Sequence, residues 1–277
     1  MTHRRVRAQM GRPVSRRWKE IRSLARRKYR ERLGETLVEG RRAVEAAIEA
    51  GVEVRDVLVT PAAREEQRLA ERLEALGDLV HVVSASDLAE ITSVESSQGV
   101  LAVVAVERLP REALALCTRL LVFDRLSDPG NAGTLLRTAA WFGVDAVVTS
   151  RGTVDLYNPK VVRAAMGGLW DVGHAEVEDL PATLRELTKR GFAVYGADLG
   201  GTDVARWRPD APSVLVLGSE AHGLSEDVQQ EIRERVVVPG NSSRRGTESL
   251  NVAVAAGILM YAWVQTPTGH GPRSASH

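Results

Sequence analysis

Cysteine is nearly absent from this 277-residue sequence, which contains Cys117 and no other. A single cysteine cannot form an intramolecular disulfide, and no group of cysteines and histidines has the spacing of a zinc site. These absences exclude a disulfide-stabilised secreted scaffold and a structural zinc module. They are typical of a reducing compartment, so we expect a cytoplasmic protein that needs no metal.

Long apolar runs and the common glycine-rich loops are also missing. The longest apolar run, 252–264, has 13 residues, which is typical of a buried helix and too short to cross a bilayer. The arginine-rich amino terminus lacks the apolar core of a signal peptide. There is no G-x-G-x-x-G, no Walker loop and no G-x-S-x-G sequence. Dinucleotide sites, ATP sites and serine hydrolase sites of those designs are therefore disfavoured.

Negative charge is scarce in the first 30 residues, which contain ten Arg and two Lys against one acid, Glu20. This segment carries +11, and because the whole chain carries +1, residues 31–277 carry −10. A basic arm on an acidic body predicts a polyanionic partner, most simply nucleic acid. A solvated tail without a partner is the alternative.

The sequence has enough apolar residues, 44%, to form a sizeable core, and they recur in two α/β series. The second series has Val- and Leu-rich strands with little polar alternation, as in a parallel sheet covered on both faces. We predict a disordered basic arm at 1–14, an α/β domain at 15–107, a linker at 108–118, a doubly wound α/β domain at 119–265 and a disordered tail at 266–277. The predicted strands are 36–39, 54–60, 79–83, 100–107, 120–124, 146–149, 193–197, 214–218 and 236–238. The predicted helices are 15–33, 41–50, 62–76, 86–91, 131–142, 159–169, 180–190, 226–234 and 250–264.

Loops that follow the parallel strands are the expected ligand sites, because ligands bind at the carboxyl ends of such strands. The stretch 128–137 follows one strand and opens a helix, where Asn131 can act as the N-cap. Arg137 lies in an otherwise apolar helix, so we expect it on a buried side with a partner. Pairing with a core carboxylate and a functional role both remain open for this arginine.

Two further stretches follow later strands. In 215–225, two glycines flank Glu220, which could act as an acid or base, bind a cation, or be a solvated turn residue. Ser225, followed by two acids, is placed to cap the next helix. In 238–258, Ser249 is a candidate N-cap of the final helix, and Asn251 is a polar group at its start.

Together, the three stretches resemble the ordered motifs of the SpoU (TrmH) family of RNA ribose 2′-O-methyltransferases, in the SPOUT superfamily. The first motif is matched by Asn131, Gly133 and Arg137, the second by 217–225, and the third by 249–257. The segment 158–164 also looks like a family segment. In the front half, 39–41 and 92–104 resemble the L30e-like substrate-binding domain of many such enzymes, whereas the loop 241–247 looks longer than usual.

The resemblance implies a fold, a cofactor and site residues. It implies an L30e-like α/β domain followed by an α/β domain with a deep trefoil knot, which binds S-adenosylmethionine. The implied cofactor-binding residues are Leu217, Gly218, Val238, Pro239 and Leu250. The implied catalytic residues are Arg137, Asn131, Glu220, Ser249 and Asn251, where Arg137 orients the substrate and stabilises developing negative charge. The expected RNA-binding residues are Arg16, Arg17, Arg26, Arg27, Arg41, Arg163, Arg244 and Arg245.

The implied activity is S-adenosylmethionine-dependent ribose 2′-O-methylation of RNA. The L30e-like half favours large-subunit 23S ribosomal RNA over transfer RNA as the substrate. A non-catalytic RNA-binding or ribosome-assembly protein and a small-molecule methyltransferase are the alternatives; the basic arm disfavours the latter. The resemblance also implies a homodimer through the knot region, with the apolar final helix covered by the second subunit.

Overall fold

The computed structural model describes residues 9–92, 97–240 and 249–265. The chain divides into two compact units, of which unit 1 comprises residues up to 107 together with 155–171. Unit 2 comprises 108–154 and the residues from 172 onward. The chain first crosses from unit 1 to unit 2 after residue 107, where the linker was predicted to begin. Residues 155–171 were predicted to belong to the second domain, but in the structure they belong to unit 1.

Unit 1 contains a five-stranded mixed sheet in the order β1-β4-β3-β5-β2. Its strands are β1 (Gln9–Met10), β2 (Glu35–Glu39), β3 (Val54–Val59), β4 (Val80–Val82) and β5 (Val100–Ala105). Its helices are α1 (Ser15–Ser23), α2 (Arg27–Leu33), α3 (Arg41–Glu49), α4 (Pro61–Arg64), α5 (Gln67–Glu74), α6 (Ala85–Ala89), α8 (Pro159–Ala165) and α9 (Gly168–Asp171), with a 3₁₀ turn at Gly77–Leu79. β5 pairs antiparallel with both β2 and β3, whereas β3, β4 and β1 are parallel.

The basic amino-terminal segment forms part of the core of unit 1. Trp18, Ile21 and Leu24 are buried together with side chains of the sheet. The predicted helix 15–33 is two helices, because Arg26 takes an extended conformation and the Arg30 guanidinium donates to the carbonyl of Leu24 at 2.7 Å. The predicted disordered arm also includes β1, which pairs with β4, whereas residues 1–8 lie outside the described residues.

Unit 2 contains a six-stranded parallel sheet in the order β11-β9-β10-β6-β7-β8, which confirms the predicted α/β class. Its strands are β6 (Arg119–Phe123), β7 (Ala146–Ser150), β8 (Gly173–Val177), β9 (Ala193–Asp203), β10 (Ser213–Leu217) and β11 (Glu234–Val237). Its helices are α7 (Pro129–Trp141), α10 (Leu180–Lys189), α11 (Glu226–Gln229) and α12 (Val252–Val264), with a 3₁₀ turn at Arg111–Leu116.

The strand order reverses between β6 and β10. The chain starts on β6 and adds β7 and β8 on one side, whereas β9, β10 and β11 all lie on the other side. Loops that leave β6 and β10 diverge at this point and open a crevice at the carboxyl edge of the sheet. A hydrogen bond from the Asp124 amide to the Leu217 carbonyl at 2.8 Å joins the beginnings of these two loops.

Several elements differ from prediction for local reasons. β8 was missed because its sequence, Gly173–Val177, mixes polar and apolar residues. The predicted helix 159–169 divides at Met166 and Gly167, both of which have positive φ. β9 runs six residues beyond its predicted end, since its second half pairs with β11 after a register shift.

No helix in the described part of the chain is both long and apolar enough to span a membrane. The described residues also contain no cluster of three or more side chains that could hold a metal ion.

Candidate active site

A cavity of about 640 Å³ opens at the carboxyl edge of the sheet of unit 2. It is lined by residues in the middle of β9, by residues at and after the ends of β10 and β11, and by the start of α12. Its volume lies in the range of roughly 300–1,000 Å³ that is typical of small-molecule sites. The apolar part of its lining includes Leu217, Leu224, Val237, Leu250 and Leu259.

The wall of this cavity after β10 is a tight hairpin. Ser219 and Gly223 exchange backbone hydrogen bonds at 3.0 and 2.9 Å. A Cβ at Gly218 would lie only 2.1 Å from the carbonyl carbon of Gly223, so no other residue fits there without moving the backbone. Gly223 has a φ of +65°, which also favours glycine. The two glycines noted in the sequence therefore fix the shape of the cavity wall.

Three predicted site residues form a hydrogen-bonded chain at this edge. The Asn131 side-chain amide donates to Glu220 Oε1 at 3.0 Å, and the Asn251 amide donates to Asn131 Oδ1 at 3.0 Å. Glu220 and Asn251 both line the cavity, and Asn131 connects them from α7. The structure thus brings together residues that are up to 120 positions apart in the sequence.

The Glu220 carboxylate is held by several donors. Partial burial raises its pKa, but hydrogen bonds from the Asn131 side chain and from backbone N–H groups, including those of Ser127 and Asp128, outweigh this effect. The net pKa of Glu220 is lowered, so the group is ionised at neutral pH. It is therefore an acceptor that can orient donors, and not a proton donor.

The helix caps differ from the sequence expectation. Asp128 caps α7, where its Oδ1 accepts from the backbone N–H of Asn131 at 2.7 Å. Asn251 caps α12, where its Oδ1 accepts from the amides of Ala253 and Val254 at 2.9 and 3.3 Å. The caps predicted at Asn131 and Ser249 were wrong by three and two positions respectively, which leaves the Asn131 side chain available to bind Glu220.

Ser225 is the N-cap of α11, as predicted, but its side chain makes no capping hydrogen bond. Its backbone N–H instead donates to Asp124 Oδ2 at 2.7 Å. Asp124 is a buried carboxylate directly after β6, so this bond ties the hairpin after β10 to the end of the neighbouring strand. No sequence motif marks this aspartate as part of the site.

Arg137 lies on a different face of α7 from Asn131. The expectation that it sits on a buried side was wrong, because the residue is exposed. Within the described residues its side chain makes no ion pair or hydrogen bond, including none to Asn131, Glu220 or Asn251. Six positions along an α-helix correspond to about 120° of rotation, which accounts for the separation from Asn131.

Most of the other residues predicted to bind the cofactor lie in the lining of this cavity. Leu217, Gly218, Val238 and Leu250 line the cavity, as does Ser249, whereas Pro239 is exposed and outside the lining. Asp198 and Leu199, after the first half of β9, were not predicted and also line it. No sequence motif marks these two residues. They lie in the part of β9 that extends beyond its predicted end at residue 197.

A second cavity, of about 560 Å³, lies within unit 1 at the amino end of α3. Its lining includes the predicted Arg41 and Arg163 together with Arg42 and Arg68, which sequence reasoning missed. Gln98 Oε1 accepts from the Arg41 amide at 2.8 Å, and the Arg41 guanidinium pairs with Glu66. Arg42 and Arg68 are exposed and form no ion pair with any described residue.

The predicted RNA-binding arginines of the amino-terminal segment are in different environments. Arg17 is mostly buried and binds Glu35 and Asp56 at 2.8 and 2.6 Å, so its charge is satisfied inside unit 1. Arg16 and Arg27 each pair with a glutamate one helical turn away, at 3.2 and 2.6 Å. Arg26 is exposed, and Arg244 and Arg245 lie outside the described residues.

Two family models match the chain. The model of the SpoU rRNA Methylase family matches residues 118–261, and the MRM3-like substrate binding domain matches residues 16–102. Among curated proteins, the chain is 33% identical over 245 residues to the 23S rRNA (guanosine(2553)-2′-O)-methyltransferase RlmP of Bacillus subtilis. That match covers 88% of this chain and 93% of the relative.

Solved structures of methyltransferases also resemble this chain over nearly its whole length. The SpoU methyltransferase AviRb from Streptomyces viridochromogenes, in complex with AdoMet, is 26% identical with a TM-score of 0.79, covering 92% of this chain and 98% of that one. The AdoMet-bound rRNA methyltransferase from Sinorhizobium meliloti is 25% identical with a TM-score of 0.80, covering 92% and 97%.

Proposed function

This chain belongs to the SpoU rRNA methylase family, and we propose that it transfers a methyl group from S-adenosylmethionine to a ribose 2′-hydroxyl of 23S ribosomal RNA. Membership makes it an RNA methyltransferase. The finer part of the proposal, the ribose oxygen and the 23S substrate, is supported by the relative RlmP, whose alignment with this chain extends over nearly the whole of both proteins.

The observation that carries the proposal is the Asn131–Glu220–Asn251 chain beside the cavity of unit 2. The cavity fits the cofactor in size and in chemistry, because apolar side chains and convergent polar groups share its wall about equally. The absence of a Cβ at Gly218 lets the hairpin close onto the Gly223 backbone, which sets the shape of the cavity wall. When bound, S-adenosylmethionine supplies a sulfonium methyl group that an oxygen nucleophile can attack.

The residues of the chain have separate tasks in this reaction. Leu217, Gly218, Val238 and Leu250, which line the cavity, would hold the cofactor, and the cofactor would supply the methyl group. Asn131, Glu220 and Asn251 form a polar frame that orients the incoming ribose, and alignment of this kind accounts for much of the rate of a two-substrate reaction. Glu220, kept ionised by its donors, accepts hydrogen bonds from the frame and from hydroxyl groups of the ligand.

Arg137 binds the RNA phosphate beside the reacting ribose and stabilises the negative charge that develops on the 2′-oxygen. A guanidinium suits this role because it stays protonated and binds phosphate through two parallel donors. Its exposure and lack of a partner among the described residues leave it open to such a ligand.

The proposal includes a homodimer. Exposed apolar side chains lie on α12 and α7, at Val254, Ile258, Tyr261 and Trp141, with exposures of 53, 39, 59 and 85%. The two helices adjoin, since the Phe142 and Tyr261 ring centroids are 6.3 Å apart. A second subunit on this surface would cover the apolar groups. Arg137 is one helical turn from Trp141 on the same face of α7, so this interface would include it. We therefore place the contact between Arg137 and the substrate at the subunit interface.

RNA recognition by unit 1 centres on the cavity at the amino end of α3. Its exposed Arg42 and Arg68 provide cations for phosphate, and Arg41, Arg163 and Gln98 shape the opening. Arg16, Arg26 and Arg27 remain candidate RNA contacts at the surface of the amino-terminal segment. We leave Arg17 out, because its guanidinium is satisfied by Glu35 and Asp56.

The test is methyl transfer from radiolabelled S-adenosylmethionine to purified 23S, 16S and transfer RNA, followed by nucleoside mass spectrometry. We expect label in 23S RNA, as a ribose-methylated nucleoside. A labelled base would refute ribose methylation, and labelled transfer RNA alone would support the alternative substrate. A protein that binds RNA but binds no S-adenosylmethionine in calorimetry would be a non-catalytic RNA-binding protein. The trefoil knot and the cytoplasmic location stay predictions.

A further inference from the structure

Arg125, the second residue after β6, has an unusual backbone conformation. Its φ is +57°, in the left-handed region that non-glycine residues adopt rarely and at an energetic cost. Within the described ranges Met166 is the only other non-glycine residue with a positive φ, and it is the C-cap of α8, where this conformation is common. Arg125 is not a helix cap, so its conformation needs another explanation.

Bonds to the neighbouring loop hold Arg125 in this conformation. Its amide donates to Ser150 Oγ at 3.0 Å. On either side of it, the Thr153 hydroxyl donates to the Phe123 carbonyl at 3.0 Å and the Val154 amide to the Leu126 carbonyl at 2.8 Å. The loops after β6 and β7 are therefore joined along their length, and the Arg125 backbone is fixed by several contacts.

The fixed backbone directs the Arg125 side chain across the next loop. A Cβ built on Gly152 would lie 3.6 Å from Arg125 Cγ, so the arginine stem passes over this glycine. The Arg125 side chain is 48% exposed, and its Nε lies 3.4 Å from Asp124 Oδ1. Arg151, at the end of β7, is exposed, and its side chain makes no ion pair or hydrogen bond within the described residues.

We propose that Arg125 and Arg151 bind phosphate oxygens of the RNA strand next to the nucleotide that is methylated. The inference rests on the proposed function and adds substrate-positioning residues to it. β6 and β7 are adjacent and parallel, with Phe123 beside Thr149, so Arg125 and Arg151 begin the loops that leave two neighbouring strands at the carboxyl edge. Two and three residues further along the loop from Arg125, the backbone amides of Ser127 and Asp128 donate to Glu220, so Arg125 lies on a loop that also forms the site, and Arg151 begins the loop that is joined to it.

The ligand of the pair is the RNA and not the cofactor. The residues that line the cofactor cavity include none from 123–126 or 150–152. Two arginines that present parallel N–H donors match the geometry of phosphate oxygens. The competing explanation is that Arg125 serves only as the counter-ion of buried Asp124, whose other oxygen already accepts from the Ser225 amide. That explanation gives no role to Arg151.

The experiment compares Arg125→Gly, Arg125→Lys and Arg151→Ala with Arg190→Ala as the matched control. Arg190 is a half-exposed arginine paired with Glu186, at the end of α10 just before β9, and therefore at the amino edge of the same sheet. For each protein we would measure the melting temperature, the Kd for S-adenosylmethionine by calorimetry, and kcat and KM for RNA at several salt concentrations.

We expect Arg125→Gly to melt at or above the wild-type temperature, because glycine adopts the left-handed conformation without strain. Its Kd for S-adenosylmethionine should stay within twofold, whereas its KM for RNA should rise about tenfold and its salt dependence should become shallower by about 0.7 in log–log slope. Arg151→Ala should change the KM for RNA and its salt dependence in the same directions. For Arg125→Lys, both quantities should lie between those of the wild type and of Arg125→Gly. Arg190→Ala should match the wild type in both.

A lower melting temperature for Arg125→Gly with an unchanged KM for RNA would overturn the inference and establish the counter-ion role. A KM for RNA that rises equally in Arg190→Ala would also overturn it, since the effect would then be general charge. If the wild-type protein methylates no RNA, the proposed function fails, and filter binding of RNA to the same four variants still decides whether the two arginines contact the strand.

Discussion

Replacing Asn131 with aspartate tests the polar chain of the active site most directly. The substitution removes the amide that donates to Glu220 Oε1 at 3.0 Å and puts a second carboxylate in its place. A hydrogen bond to a charged group contributes about 1.5–3 kcal/mol. Two like charges about 4 Å apart repel by about 1 kcal/mol in water and about 4 kcal/mol at an effective dielectric constant of about 20.

The exposure of Glu220 places both effects at the low end of these ranges. We therefore expect Asn131→Asp to lose about 2 kcal/mol of unfolding free energy at pH 8, which lowers the melting temperature by about 4–8 °C for a unit of this size. The same repulsion raises the pKa of one carboxyl of the pair, because a nearby like charge disfavours ionisation.

The pH dependence has opposite signs in the two proteins. In the wild type, the pKa of Glu220 is lowered, so the stabilising bonds are fully present above its ordinary value of 4.5 and are lost as the pH falls through the folded pKa. In Asn131→Asp, a raised pKa means that the penalty is absent at low pH and grows as the pH rises through the shifted value. The difference in melting temperature between the two proteins should therefore widen from pH 5 to pH 8.

Thermal melts at pH 5, 6, 7 and 8 measure this difference, with Asn131→Ala as the control that removes the donor without adding charge. The double variant Asn131→Asp with Glu220→Gln restores one donor and one carboxylate in exchanged positions, so it should recover most of the stability. A constant difference across the pH series, or a double variant no better than Asn131→Asp alone, would refute the hydrogen-bonded chain described here.

Four further predictions concern other parts of the molecule. Arg137→Ala should lower kcat for methyl transfer about 100-fold or more while the Kd for S-adenosylmethionine stays unchanged in calorimetry; near-normal turnover would contradict the role assigned to this residue. Sedimentation at micromolar concentration should give twice the chain mass of 30.1 kDa, and Trp141→Asp should give the single mass. Burial raises the pKa of the Cys117 thiol to about 11, with a contribution from Asp145, so alkylation at pH 8 should be about 100-fold slower than for a thiol at the ordinary value of 9.0. Deleting residues 1–8, which contain three arginines, should flatten the salt dependence of RNA binding by up to about 2 in log–log slope, and an identical slope would leave this segment without a role in binding RNA.

The sequence was informative about the unit 2 sheet because its strands have a distinctive composition. Five of its six strands were predicted to within two residues at their starts, because they begin as short apolar runs, mostly rich in Val and Leu, between helical segments. The loops that follow β6 and β10 could be predicted as ligand loops, since carboxyl ends of parallel strands meet at one edge. That these two strands are neighbours depends on the strand order, which no local pattern contains.

The capping residues show where local reasoning failed although the information was present. Asp128 and Asn131 can both cap a helix, and so can Ser249 and Asn251. Pro129 decides the first case, because proline is favoured at the first helical position and therefore points to Asp128 as the cap. For the second pair no such residue exists, and only the structure shows that Asn251 uses its oxygen to cap α12 and its amide to bind Asn131.

The charge of the amino-terminal segment shows what composition cannot distinguish. Its net +11 predicts a basic surface, yet Arg30 is buried against Asp155 at 2.6 Å, and Arg17 is bound to two carboxylates of unit 1. Asp155 lies 125 positions from Arg30, so neither periodicity nor spacing could reveal the pair. Because these arginines hold α1 and α2 in place and Trp18, Ile21 and Leu24 fill the core, deleting residues 1–30 would destabilise unit 1 itself. A loss of RNA binding in that truncation would therefore not identify an RNA contact, whereas removal of residues 1–8 leaves the helices intact and tests charge alone.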